Sequence, residues 1–564
     1  MGRTRATLIL LILCCTAASA HERPGAGAVV SARPEATAAG MAMLKAGGNA
    51  FDAAAAVALA LGVVEPGSSG IGGGGFFLIH LADEGRDLVI DARETAPQLA
   101  GDGAIYRRRS SIDGPQAAGV PGLLAGIERL RSRYGRLSRA AIARPAIRLA
   151  EEGFSPGARL QRMIRWRAKA MNPAARARFV GLRRIRLPAL AEVLRRYAAI
   201  GTDDFYRGQT AGRLVADMKH DGGLIRAADL AAYRVVERRP VAFDWHGYRI
   251  VSAPLPSSGG LTLKMILGMV AGDDLAAMSR ADRVHLLVEA MKRAYGARNR
   301  YMGDPAFVTP PDGLTAQERL AALRHTISMA HATPAAAVGA MLEPAGNGRD
   351  TTHFSVIDRD GNMVSATLSI NYPFGSGYLS PSTGILLNDE MDDFATRPGR
   401  PNAYGLVQGA ANAVAPGKRM LSSMSPTIIH GPERTLILGT PGGSRIISMV
   451  LLAGLRFMLH EGSPQQWIDR GRFHHQLWPD RIEYEQGALT PATIAELTRR
   501  GHRLRQIRDY GNMEAILWLR RSGEVVPLAD RRGEGRGTTT SSFAPGGDAT
   551  RRLDAAEAPP IFRR

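Results

Sequence analysis

Asp350-Thr351-Thr352-His353 holds the residue types from which a nucleophile can be made. A threonine hydroxyl inside a chain is a weak nucleophile with no base of its own. Breaking the peptide bond before Thr351 would free an α-amine on the same residue, and that amine can act as the adjacent base. The stretch follows Pro344-Ala345-Gly346-Asn347-Gly348-Arg349 and leads into the strand-like alternation His353-Phe354-Ser355-Val356-Ile357. A threonine pair opening a strand is also what β-propensity alone produces, so the rest of the chain has to supply a site.

The residues after Thr351 do so. Ser369 and Asn371 close a strand, and 388–394 carries the acids Asp389, Glu390, Asp392 and Asp393. Ser422 and Ser423 place adjacent hydroxyls before another strand. Gly442 and Gly443, within Gly439-Thr440-Pro441-Gly442-Gly443-Ser444-Arg445, offer consecutive backbone amides ahead of an apolar helical run. Singly these read as solvated acids, strand-end hydroxyls and a helix-capping turn. Together, behind a candidate threonine nucleophile, they argue for a reaction centre.

The elements that must position these groups follow from periodicity. Residues 36–64 are alanine-dominated with the spacing of buried helices, punctuated by Gly47-Gly48-Asn49. A glycine run, 72–75, feeds the apolar strand Phe76-Phe77-Leu78-Ile79-His80. It lacks the Lys-Ser/Thr of a phosphate-binding loop and no helix follows it, so strand-entry packing is the expectation. Another strand is expected over 89–93. Residues 117–232 are mostly helical, 241–252 returns to strand, and a long helical region runs to Tyr301. After Thr351, strands recur at 352–357, 363–369, 427–430, 435–438, 515–519 and 524–528. Strands in the second part and helices over much of the first predict an α+β arrangement of packed layers.

Residues 1–20 read as an export signal, with Arg3 and Arg5, an apolar stretch 8–15 too short to favour a membrane span, and Ala17-Ala18-Ser19-Ala20 before His21. The expected location is the periplasm or the exterior, with membrane contact only through that segment. The chain's 2 cysteines both lie there, so no disulfide, thiolate metal site or cysteine nucleophile is expected in the mature protein. The net charge of +20 is mostly scattered arginine, densest over 159–196 at roughly helical spacing. A solvated helical face is the plain reading of that segment, a binding patch the alternative. No zinc-finger spacing or RNA-binding aromatic signature is present, and no nucleic-acid partner is expected.

The ordered motifs Ala46-Gly-Gly-Asn-Ala-Phe-Asp-Ala53, Gly70-Ile-Gly-Gly-Gly-Gly-Phe76, Arg93-Glu-Thr-Ala-Pro97, Pro256-Ser-Ser-Gly-Gly260, Gly303-Asp-Pro305, Asp350-Thr-Thr-His353, Met391-Asp-Asp-Phe394, Leu421-Ser-Ser-Met-Ser-Pro426 and Pro441-Gly-Gly-Ser-Arg445 carry a resemblance. The sequence resembles the γ-glutamyltransferase (γ-glutamyltranspeptidase) family of N-terminal-nucleophile hydrolases over nearly the whole mature chain. The resemblance implies a four-layer αββα sandwich made as one precursor and autoprocessed into two intertwined subunits. The cut would fall between Asp350 and Thr351, leaving a large subunit 21–350 and a small subunit 351–564 as one fold.

By the same resemblance, Thr351 is the nucleophile in processing and in turnover, and Ser369 contacts it where the family is expected to have threonine. Gly442 and Gly443 supply the oxyanion hole. Arg93, Ser422 and Ser423 hold the substrate α-carboxylate. Asp393, Glu390 and Asn371 hold its α-ammonium, with Glu390 standing where many bacterial members have glutamine. Tyr404 gates a lid loop over 398–419, while His353, His474 and His475 are structural. The implied reaction moves a γ-glutamyl group from a small-molecule donor, glutathione being the archetype, to water or an amine acceptor. It calls for no cofactor and no metal. Segment 181–194 looks shortened and arginine-rich, which bears on donor or acceptor access. The alternatives are a related amidase, such as a glutaryl-type acylase or a poly-γ-glutamate hydrolase, and an inactive basic surface-binding homologue.

Overall fold

The computed structural model describes residues 23–339 and 351–541, apart from 398, 401 and 403. Residues 1–20, expected to be an export signal, and Asp350 lie outside the described residues. Among the described helices, none is long and apolar enough to cross a membrane.

The strands, in chain order, are β1 (Ala28–Ser31), β2 (Gly74–Leu81), β3 (Arg86–Asp91), β4 (Val236–Arg238), β5 (Val241–Trp245), β6 (Tyr248–Ser252), β7 (Thr352–Ile357), β8 (Met363–Ser369), β9 (Thr427–His430), β10 (Arg434–Gly439), β11 (Phe473–His474), β12 (Ile482–Glu485), β13 (Leu504–Ile507), β14 (Glu514–Leu519), β15 (Val525–Ala529) and β16 (Arg536–Thr539). A seven-stranded antiparallel sheet runs β16-β1-β7-β8-β2-β3-β4, and a six-stranded one runs β15-β14-β10-β9-β6-β5. The small third sheet is β11-β12-β13.

Alternation decides what each face meets. In β2, Phe77 and Ile79 point to a core shared with the helices Pro34–Lys45 and Ala50–Val64. Phe76 and Leu78 point the other way, into a core shared with the second sheet and the helices Gly259–Met269, Arg280–Tyr301 and Ile446–Met458. The layers are therefore helix, sheet, sheet, helix, the αββα sandwich expected.

Helix Ala50–Val64 is buried along its whole length, which its apolar character all round requires. Its start is fixed by a capping box: Asn49 Oδ1 accepts the N–H of Asp52 at 3.1 Å, and Asp52 Oδ2 accepts the N–H of Asn49 at 3.0 Å. The glycine run before β2 is packing, as expected. A Cβ on Gly73 would overlap the Ser369 carbonyl oxygen, so glycine lets the two backbones touch beside the end of β8. The basic segment forms the helices Ala158–Arg167, Pro173–Phe179 and Pro188–Ile200. Its arginines are mostly exposed. Arg167 is the exception: it is buried and donates to the carbonyls of Pro373 at 2.8 Å and Gly375 at 3.0 Å.

Candidate active site

Register brings the nucleophile candidate to its neighbour. Thr352 opens β7 opposite Leu368 of β8, so one step further Thr351 lies beside Ser369, their hydroxyls 3.4 Å apart. Ser369 is opposite Gly74 in β2, and its Oγ accepts the N–H of Asn371 at 2.7 Å. Asn371 takes a left-handed backbone with φ 72, a conformation asparagine tolerates better than most residues. Its side chain donates to the Asp389 carbonyl at 3.1 Å.

The acids come from a short 3-10 turn, Glu390–Asp393. Side chains three apart eclipse in that helix, so Glu390 and Asp393 face the same way. Asn388 fastens the turn, donating to the Gly72 carbonyl at 2.7 Å and the Gly119 carbonyl at 2.9 Å. Arg93, just beyond β3, meets the turn. Its guanidinium lies 2.6 Å from Glu390 Oε2, 2.5 Å from Asp393 Oδ2 and 3.4 Å from Glu94 Oε2. Tyr233 and Asp91 hold its backbone, the former donating to the Arg93 carbonyl at 2.9 Å and the latter accepting its N–H at 2.9 Å.

One cation thus faces two buried carboxyls, Glu94 and Glu390, and the part-buried Asp393. Burial opposes the charge of Arg93, but Glu390, Glu94 and Asp393 outweigh it and hold the guanidinium firmly protonated. Burial raises all three carboxyls against the pull of Arg93, and Glu94 is pushed up to about 7. Three carboxyls against one guanidinium leave acceptor oxygens for a further cation.

Ser422 and Ser423 approach from the loop before β9. Ser422 Oγ accepts the Met424 N–H at 3.0 Å, and the Ser422 carbonyl accepts the Ser258 hydroxyl at 2.7 Å. Gly442 and Gly443 turn the chain from β10 towards helix Ile446–Met458, whose N-terminal end adds partial positive charge. Gly443 has φ 58, and a Cβ there would overlap the Tyr404 ring. Tyr404 is buried and donates its hydroxyl to the Asn371 carbonyl at 2.9 Å, so it closes over the site. Pro398, Pro401 and Ala403 of the lid loop lie outside the described residues.

These groups enclose one cavity of about 20 Å³, lined by Thr351, Ser369, Asn371, Arg93, Glu390, Asp393, Tyr404, Ser422, Ser423 and Gly443. Gly442 is not among the lining residues; its Cα faces Met449. The family model for gamma-glutamyltranspeptidase matches residues 36–540. The chain belongs to the gamma-glutamyltranspeptidase family. It is 41% identical over 513 residues to a glutathione hydrolase proenzyme of Pseudomonas sp. (strain A14), covering 87% of this chain and 88% of that one. Among solved structures, the cephalosporin acylase of Bacillus halodurans superposes with a TM-score of 0.79 at 26% identity, covering 92% of this chain and 96% of that chain. The gamma-glutamyltranspeptidase of Helicobacter pylori aligns at 36% identity with a TM-score of 0.52, covering 54% of this chain and 92% of that chain.

At this cavity of the γ-glutamyltranspeptidase relative, the sequence reading missed Glu94 and Arg298. Arg298, on helix Arg280–Tyr301, lines the cavity at 1% exposure. Among the described residues, no carboxylate lies within ion-pair distance of it. It donates to Ser258 Oγ at 2.9 Å, Asn299 Oδ1 at 3.1 Å and Ser423 Oγ at 3.0 Å, and burial lowers it to about 10. It thereby orients the Ser423 hydroxyl and keeps a positive charge beside the serine pair, attracted at longer range by Asp393. No local signal in the sequence separates Arg298 from the other basic residues of that helix.

His353, His474 and His475 are buried and engaged away from the nucleophile: His353 bonds Thr367 at 2.9 Å, His474 bonds Ser448 at 2.8 Å, and His475 lies 3.3 Å from Asp480.

Proposed function

We propose that this chain is an exported, self-processing γ-glutamyl hydrolase and transferase acting on glutathione-like γ-glutamyl amides. The observation that carries the reading is Thr351 at the head of an interior strand, its hydroxyl in a cavity shared with Arg93, Glu390 and Asp393. In processing, the Thr351 hydroxyl adds to the Asp350 carbonyl, the peptide C–N bond breaks, and the chain becomes an ester at Thr351 Oγ with its amine free. Water then cleaves the ester, leaving a carboxylate on Asp350 and a free hydroxyl on Thr351.

In turnover the same hydroxyl attacks the donor's γ-amide. The freed α-amine, of a type that titrates at about 7.7–8.0, takes the hydroxyl proton and passes it to the leaving amine. Negative charge developing on the carbonyl oxygen falls against the amides of Gly442 and Gly443. Water or an acceptor amine then resolves the γ-glutamyl ester. The donor's α-carboxylate belongs with Arg93, Ser422 and Ser423, and its α-ammonium with Glu390, Asp393 and Asn371.

A cut at 350–351 would leave two pieces, 21–350 and 351–564, that share every large sheet. The seven-stranded sheet interleaves β7, β8 and β16 from the second piece with β1, β2, β3 and β4 from the first. The six-stranded sheet takes β5 and β6 from the first and the rest from the second. Both large cores draw residues from the two pieces.

The likeness to a cephalosporin acylase keeps a glutaryl-directed amidase as the second reading. Comparing γ-glutamyl and glutaryl anilides separates them, because only the former offers an ammonium to Asp393 and Glu390. The expected result is a higher kcat/KM for the γ-glutamyl compound; preference for the glutaryl compound moves the assignment to the acylase. Gly443→Ala tests the oxyanion wall. The added methyl must displace the Tyr404 ring, and a misplacement of about 1 Å costs about 10²-fold. The expected outcome in steady-state assays is a kcat lower by about 10²-fold with an unchanged circular dichroism spectrum.

A further inference from the structure

The rim of the layer between the two sheets holds three ligand-type side chains in register. In β2 the residues facing this layer are Phe76, Leu78 and then His80; in β3 they are Val89 and then Asp87; in β9 they are Ile428 and then His430. Alternation would place an apolar side chain at each of these last positions. His80 and Asp87 are direct cross-strand partners, with His80 Nδ1 2.8 Å from Asp87 Oδ1. His430 comes from the opposite sheet, its Nε2 3.9 Å from the same carboxylate oxygen. One ligand atom from each residue lies within 4.8 Å of the other two.

We propose that His80, Asp87 and His430 form a binding site for one zinc-class divalent ion. Ligand atoms about 2.0–2.2 Å from a tetrahedral ion sit about 3.3 Å from one another, and the observed 2.8 Å and 3.9 Å straddle that spacing. Small side-chain rotations close the difference. His430 Nε2 is buried with no hydrogen-bond partner, a costly state for a ring nitrogen that coordination would relieve. The Asp87 carboxylate, facing both imidazoles, supplies the local negative charge. Two imidazoles and one carboxylate favour zinc-like ions over magnesium or calcium. The three side chains keep 12–17% exposure, leaving room for a water to complete the coordination.

The site is separate from the reaction centre. Gly74 at the start of β2 pairs with Ser369, whereas His80 lies near the strand's other end; at about 3.3 Å per residue the separation is about 20 Å. Its consequence is structural. His80 and Asp87 precede Thr351 and His430 follows it, so a bound ion would staple the two sheets. This consequence for two separate pieces rests on the cut proposed above; the site does not.

The test titrates chelator-treated protein with zinc(II) by calorimetry, and with cobalt(II) by visible absorption, on the wild-type protein and on the uncut Thr351→Ala chain alike. The expected result is one equivalent bound in both, a rise in thermal midpoint with zinc, and the loss of binding and of that rise in His80→Leu and His430→Leu. Leucine suits the apolar layer, so both variants keep their fold. His220→Ala, at an exposed histidine, keeps binding and the midpoint rise. Absence of a saturable equivalent, its retention in both leucine variants, or equal binding of magnesium or calcium overturns the proposal. Binding by the Thr351→Ala chain reads the site independently of processing.

Discussion

Thr351→Ala is expected to give a single unbroken chain with no measurable turnover. Denaturing intact mass reports the first effect. Hydrolysis of a γ-glutamyl anilide reports the second, with kcat down by about 10³-fold or more, as when the nucleophile of an acyl-transfer enzyme is removed. The loss is chemical and not a folding failure. The hydroxyl's contact with Ser369 is long, 3.4 Å, and a typical hydrogen bond contributes only about 1 kcal/mol net. The neighbouring hydroxyl cannot take over. Thr352 is fully buried and donates to Glu65 Oε2 at 2.6 Å on the other side of β7, since successive side chains of a strand point to opposite faces. Cleavage at the same bond in the alanine variant would remove Thr351 as the processing nucleophile.

Arg93→Met should carry the largest stability cost of any single change at the site. It leaves Glu94, Glu390 and Asp393 packed together with no guanidinium among them. Breaking a buried ion pair by removing one partner costs about 3–5 kcal/mol, read as a lower denaturant midpoint. Part of that cost can be absorbed by proton uptake, because these carboxyls are already raised by burial. The variant is therefore expected to recover stability as the pH falls from neutrality towards the ordinary carboxylate range, because across that window its native state holds protons that the unfolded chain has lost. Adding Glu390→Gln removes one of the three stranded charges, so the double variant should be more stable than the sum of the two single effects. Additivity within about 0.5 kcal/mol would show that Arg93 and Glu390 do not act as one unit. Both Arg93 variants should also raise KM for a γ-glutamyl donor, since the α-carboxylate loses its cation.

The layered fold was legible in the sequence because burial leaves a period. Alternation in 352–357 and 363–369 marked β7 and β8, and the alanine run 36–64 marked two buried helices, to within a residue or two at their ends. The glycines at 72–75 were rightly read as packing, though only the structure shows that Gly73 makes room for the Ser369 carbonyl. The arginine-rich segment was rightly read as helical and mostly solvated, yet Arg167 turned inward to two loop carbonyls that no local pattern announces.

What the sequence determined by itself was the chemistry confined to short stretches: Thr351 at the head of a strand, the serine pair, the glycine pair and the acidic turn. Tertiary structure alone decided how their charges balance. It set Glu94 as a third acid against Arg93, Arg298 as a buried cation behind Ser423, and His80 and Asp87 opposite His430 across two sheets. The physical reason is that periodicity encodes which face of an element is buried, whereas electrostatics depends on which buried faces meet, and residues 93 and 390, 298 and 423, or 80 and 430 are neighbours only once the sandwich has closed.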